Sequence, residues 1–397
     1  MAATFLNKIS IGAVLRALIV ILVLLPIWML VLWLCTGKRK MVLAIIDKTV
    51  LTTKGQEHIS LNWVLNQERF TKTNTDLYKR EHDYFGFFPL EKEKFQLKGL
   101  ERFNTTQLEQ LSNDADLAYI TDAYGIYKNE WYQQGDIKER SGIVYGGMSQ
   151  QDFYFLDQMR TKHKLIITEF NCLASPTPPA VRSNFENTFG IKWTGWIGRY
   201  FDSFDTTKNK EIPSWLIKNY KLQHKGTWPF TKSGIAFIHS DDRVVILENE
   251  THLLQELPYI YSTDEGIAHY GLPEKTPYSF WFDIIQPDTS YNHVISRFDI
   301  GVNENGKRVL AANGLPFSFP AVTAHINSDY QFFYFSADFA DNPISLTSSH
   351  FKGVHYFKWL MYNRHDPQDR KSFFWNLYQP LVTTILNDYY KKLNSLP

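Results

Sequence analysis

The stretch Ser149–Asn171, SQQDFYFLDQMRTKHKLIITEFN, decides the fold class. Ser149 is a residue of the type that caps a helix N-terminus, and the amphipathic run behind it, QQDFYFLDQMRTKH, spaces its apolar residues for one helical face. KLIITEF then reads as a strand buried on both faces and ends at Asn171. One helix followed by one buried strand is half of a crossover unit.

Working outward, the same alternation recurs upstream. MVLAIIDKTV (Met41–Val50) is a buried strand ending at Asp47, Lys48 and Thr49, and Ile59–Asn66 follows as a helix after a break at Gly55. A short helix near Gln107–Leu111, opened by Thr106 with Glu109 as capping box, leads into the strand ADLAYITDAYG, Ala115–Gly125. Alternation through roughly residue 200 predicts an α/β fold, a doubly wound, mostly parallel sheet with right-handed crossovers.

Past Gly226 the character changes to short runs rich in β-branched and aromatic residues: SGIAFIHS, RVVILE, YSFWFDII, NHVISRFDIG, RVLAAN, FPAVTAHI and YQFFYFSADF. Asn303–Gly306 and Asn327–Asp329 read as hairpin turns, so this region is expected to be mostly antiparallel. FFWNLYQPLVTTILNDYYKKL returns to helical spacing, with Pro380 near a start or kink. The expected division is 1–40, 41–225 for the α/β domain, and 226–397 for a β-rich region with a C-terminal helix.

Ala17 to Cys35 holds nineteen residues without a charge, which predicts an uncleaved transmembrane helix contacting the lipid bilayer, with Trp28 and Trp33 at an interface. The short basic tail with Lys8 and Arg16 has the form of a signal anchor and puts the large domain outside the cytoplasm, while Lys38, Arg39 and Lys40 argue for the inside. A single-pass membrane protein of the cell envelope is the expectation.

Lys plus Arg (42) and Asp plus Glu (41) nearly cancel, which disfavours a nucleic-acid partner. Only Cys35 and Cys172 are present, so a disulfide framework and a cysteine zinc site are excluded, and no motif fixes a metal or a nucleotide cofactor.

In a doubly wound sheet, ligands bind beyond the carboxyl ends of the strands. Asp47, Asp122 and Glu169 stand at three such ends and are the candidate acid and base groups or hydroxyl ligands. Lys48, Thr49, Tyr124, Gly125 and Asn171 follow them, and Glu57, His58, Trp193, Trp196 and Arg199 are candidate walls of a substrate site. The plainer reading gives the carboxylates to helix caps and the tryptophans to the core, and the sequence leaves both readings open.

The segments DKTV, EHISLNW, DAYGIY, EFN, SPT and WTGWIGRY, with the strand order and the Gly146–Gly147 turn, resemble the class I glutamine amidotransferase-like fold and a group of bacterial membrane-anchored proteins that carry it. The resemblance covers roughly residues 42 to 200. Active members place a cysteine on a G-x-C-x-G elbow. Cys172 lacks both glycines, so no glutaminase chemistry is expected. Relatives without the nucleophile are associated with carbohydrate metabolism or serve as non-catalytic domains. The resemblance therefore implies carbohydrate or polysaccharide binding or processing, with a carbohydrate-active hydrolase as its enzymatic form. The alternative is a non-enzymatic scaffold that recruits a membrane protein partner.

Overall fold

The computed structural model describes residues 11–132 and 139–395, with side chains in the first helix described for Arg16 and from Val20 onward. Four adjacent strands run parallel at its centre: Gln331–Phe335, Leu165–Glu169, Leu117–Asp122 and Leu43–Asp47. Every residue of the last three is buried, which is why they read as unbroken apolar runs.

Their side chains divide by period two between two cores. Leu43, Ile45, Tyr119, Ile167 and Phe335 pack under the helices Ile59–Gln67 and Gln379–Ser395. Ala44, Ile46, Ala118, Ile120 and Phe332 pack under Thr105–Asp114, Gln150–Thr161 and Pro179–Phe189. Both faces are thus covered by helices.

The expected mostly parallel sheet followed by a β-rich region is corrected. The strands form one mixed sheet of ten, extended beyond Gln331–Phe335 by Ser318–Ile326, His293–Asp299, Tyr259–Ser262 and Lys275–Pro277, all antiparallel. At the other side Phe85–Pro89 continues parallel and Phe95–Leu97 closes antiparallel. The cause is one pairing: Gln331–Phe335 lies parallel against Leu165–Glu169, Phe335 opposite Glu169, and carries the later strands into the sheet. A second sheet of four orders Val244–Glu248, Gly234–His239, Ile191–Phe201 and Trp281–Pro287, antiparallel throughout.

Two local expectations also change. The helix before Leu117 is capped by Asn104 with Gln107, each side chain bonding the other's backbone, rather than by Thr106 and Glu109. RVLAAN is helical, because the Asn303 side chain accepts from Asn305 N (2.9 Å) and Gly306 N (3.0 Å) and starts the helix Glu304–Ala312 where a hairpin turn was expected.

The membrane expectation is corrected as well. The apolar run forms the helix Ile11–Cys35, and among the described residues no helix is long and apolar enough to cross a membrane. Lys8 and the side chains of Ala17, Leu18 and Ile19 lie outside the described residues. The single-pass anchor, the bilayer contact through Ala17 to Cys35, the membrane partner and the extracytoplasmic placement are not supported.

The C-terminal end of this helix is docked on the body. Trp33, expected at an interface, is only 5% exposed and donates its indole N–H to Asn66 O at 2.8 Å. Arg69 donates to the terminal carbonyls of Trp33 (2.6 Å) and Leu34 (2.7 Å), a cation placed where the helix dipole is negative. Arg39 of the basic flank stacks on Phe70 at 4.2 Å and forms an ion pair with Glu68 at 2.7 Å.

Candidate functional site

The carboxyl ends of the four parallel strands gather the acidic groups. Asp47 and Asp122 are buried at neighbouring ends, joined through Thr49, whose hydroxyl donates to Asp122 Oδ1 at 2.9 Å. Gly125 N donates to Thr49 Oγ1 at 2.8 Å. Gly125 sits at φ +93°, and a Cβ there would lie 2.1 Å from Tyr145 O, so the chain reverses only with glycine. Asp122 also accepts from Tyr124 N at 2.5 Å, and the Tyr124 ring beside it is 37% exposed. Burial, followed by the nearby Asp47 charge, pushes the Asp122 carboxyl up to about 7 against the pull of its hydrogen bonds.

Asp47 is held from the next turn. Its Oδ2 accepts from Glu57 N at 2.9 Å and lies 2.7 Å from Nδ1 of the buried His58. The other ring nitrogen, Nε2, is 3.2 Å from Arg80 O. Both imidazole nitrogens therefore face oxygen atoms, Asp47 Oδ2 on one side and Arg80 O on the other.

Lys48 turns the other way. Its ammonium is wholly buried and bonded to Asp152, Glu101 and, at 2.9 Å, Gly147 O. It fastens the first strand to the N-terminus of the helix Gln150–Thr161, where Asp152 also accepts from Ser149 N at 2.7 Å.

Glu169 has its acceptors filled internally. Oε2 accepts from Phe339 N and Ala340 N, both at 2.9 Å, and Oε1 accepts from the Tyr119 hydroxyl. Burial raises its pKa well above the carboxylate range. Its part is to fix the loop after the fourth parallel strand. Glu169→Ala should lower stability by about 3 kcal/mol and strip hydrogen-exchange protection from the Phe339 and Ala340 amides, whereas Glu169→Gln keeps most of it. Unchanged protection in the alanine variant would refute this role.

That loop brings Asp338 and Asp341, which the sequence reading missed, beside Glu57, which it named. The three each place a carboxylate oxygen within 4.8 Å of the others. The Arg370 guanidinium pairs with Asp338 at 3.4 Å and Asp341 at 3.3 Å. The spacing would suit a divalent cation, but Arg370 already supplies the positive charge. Asp338 follows the strand Gln331–Phe335, so the strand-end rule would have found it had YQFFYFSADF been read as a parallel neighbour.

Among the described residues the Glu57 side chain makes no hydrogen bond or ion pair, and it is only partly buried. Burial, then the charges of Asp341, Asp338, Asp122 and Asp47, raise its pKa well above the usual range. The same burial raises Asp338, against the attraction of Arg370. The site thus presents carboxyls able to donate as well as accept.

The remaining candidates divide. Asn171, at φ +69°, makes the sharp turn at the end of its strand without glycine, and its side chain helps hold Asp122. Cys172 behind it is fully buried and its thiol is pushed well up by burial, the opposite of an activated nucleophile. Trp193 and Trp196 are core residues, 8% and 3% exposed, with the Trp193 indole donating to Trp196 O at 3.0 Å. Arg199, from the same strand, reaches toward Arg370 across Phe280.

No family model matches the chain, and no curated protein matches it. Among solved structures it is similar to a putative ThuA-like protein from Bacteroides uniformis at 9% identity and TM-score 0.35, over 88% of this chain and 93% of that one. A β-galactosidase from Bacillus circulans matches at 9% identity and TM-score 0.27, over 58% of this chain and 22% of its own length. The carbohydrate deacetylase Agd3 matches at 8% and 0.30, over 76% and 30%. The chain spans under a third of the length of these two enzymes, and likenesses this weak carry no argument about its chemistry.

Proposed function

We propose that the acidic cluster at the ends of the parallel strands binds a polyhydroxylated ligand, a carbohydrate or polysaccharide segment, with Glu57 as the central contact. The observation that carries this reading is the Glu57 carboxyl, which has no hydrogen-bond or ion-pair partner among the described residues and stands within 4.8 Å of the carboxylates of Asp338 and Asp341. Hydroxyl groups each donate and accept, so a surface mixing protonated and ionised carboxyls complements them better than one of a single kind. The exposed Tyr124 ring beside Asp122 offers an apolar face for a sugar ring.

The close carboxyls also permit hydrolysis in principle, with the protonated Glu57 as acid and Asp341 as its partner. Binding does not require that step. Thermal-shift screening of the full chain against a glycan panel should find a stabilising saccharide whose affinity falls about tenfold or more in Glu57→Gln. A full panel without a hit, or a hit untouched by Glu57→Gln, would reject the site.

A further inference from the structure

The helix Ser214–Gln223 packs Leu216 and Tyr220 into one core with Val244 and Ile246 of the four-stranded sheet. Its outer face is of another kind. Ser214, Lys218, Lys221 and Leu222 fall at i, i+4, i+7 and i+8 and line an open groove of about 630 Å³, which Thr206, Ile217 and Gly226 complete. Leu222 is 77% exposed, an apolar side chain set among cations.

Lys218, Lys221 and, just past the helix, Lys225 are exposed, and among the described residues none of the three makes an ion pair or a side-chain hydrogen bond. The acids of the surrounding segment 201–245 are all engaged elsewhere: Asp202 with Asn209, Asp205 with Thr207 and Lys208, Glu211 with Arg199, Asp241 with Arg243, and Asp242 with Arg140. Lysines three or four apart on a helix repel each other, and a leucine exposed between them forgoes the stabilisation of burial. The free chain carries both penalties at one place.

We infer that this groove docks an acidic segment of a partner protein, one that presents a large apolar side chain among aspartates and glutamates. The apolar side chain lies on Leu222 and Ile217, and the carboxylates pair with Lys218, Lys221 and Lys225. Such a segment removes the repulsion and covers the leucine together, which a polyanion without apolar groups does not. The groove volume falls within the ~300–1,000 Å³ of sites that hold specific ligands, and its open side lets a chain run on past it. This docking surface goes beyond the carbohydrate reading and does not depend on it.

Peptides displayed on phage, selected on the full chain and then synthesised and titrated by fluorescence anisotropy, test this. The selected sequences should be rich in Asp and Glu around a Leu, Ile or Phe. Their affinity should fall about tenfold or more in the double variant Lys218→Glu, Lys221→Glu and about threefold in Leu222→Ser. All three side chains are exposed, so the variants should melt with the wild type, which separates lost docking from lost folding. Replacing the apolar residue of the peptide by Ser leaves the protein untouched and should weaken binding as Leu222→Ser does. Selection of no acidic family, or an affinity unchanged in the lysine variant, overturns the inference. So does a peptide without its apolar residue that binds equally well, or a sulfated oligosaccharide that binds the same lysines more tightly, since either marks a general polyanion surface.

Discussion

Lys48→Met is expected to lower the stability of the protein by about 3 to 5 kcal/mol, the cost of leaving buried carboxylates without their cation. The Lys48 ammonium and the Asp152 carboxylate are both wholly buried, and Glu101 completes the group. Burial pulls the lysine pKa down, but the attractions of Asp152 and Glu101 outweigh it, so the folded value is raised above 10.5. A raised lysine contributes its full stability below the unfolded value and loses it only as pH rises through the folded one, so the contribution is intact at neutral pH. Asp152→Asn should also be harmful, since it leaves the buried lysine with Glu101 as its one remaining counter-charge among the described residues, while keeping a side chain able to cap the helix. Urea denaturation at pH 7 measures both. A loss under about 1 kcal/mol in each variant would mean that the buried pair does not form.

The second large effect is a stability that falls as pH rises from about 4 to 7. Asp122 and Asp283 are buried and each is pushed up to about 7, in both cases chiefly by burial. Glu57, Glu169 and Asp338 are raised as well. Within that window the folded protein holds protons that the unfolded chain has released, so stability declines with pH at about 1.4 kcal/mol per unit for each such group. Carboxyls with lowered values, such as Asp241 and Asp288, act in the opposite sense but only below about pH 4. Asp283 is the cleanest probe, since it lies outside the acidic cluster with one oxygen on Tyr334 and the other without a partner among the described residues. Asp283→Asn should flatten the slope of denaturation free energy between pH 5 and 7 by about one proton's worth. A wild-type profile that rises across this interval would contradict the buried, protonated carboxyls.

What was legible in the sequence follows from where the information lies. Leu43–Asp47, Leu117–Asp122 and Leu165–Glu169 could be read because burial on both faces leaves an unbroken apolar run, a local signal. The strand-end rule then led to Asp47 and Asp122. It could not lead to Asp338, Asp341 and Arg370, because the pairing of Gln331–Phe335 with Leu165–Glu169 joins positions far apart and no local pattern encodes it. Trp193 and Trp196 show the converse limit, since a tryptophan in a core and one on a sugar platform look alike until burial is known. The NENG turn misled because Asn opens hairpins and helices alike, and only the chain that follows decides between them.

The parallel contact between Leu165–Glu169 and Gln331–Phe335 also orders events during synthesis. A ribosome completes the first partner long before the second, so the growing chain carries an open strand edge while the intervening segment is made. Such an edge can pair with any extended segment nearby. The insertion of Gln331–Phe335 both closes that edge and delivers Asp338 beside Glu57. Protection from misassembly and completion of the acidic site are therefore one late step, and a chain cut short before that strand has neither.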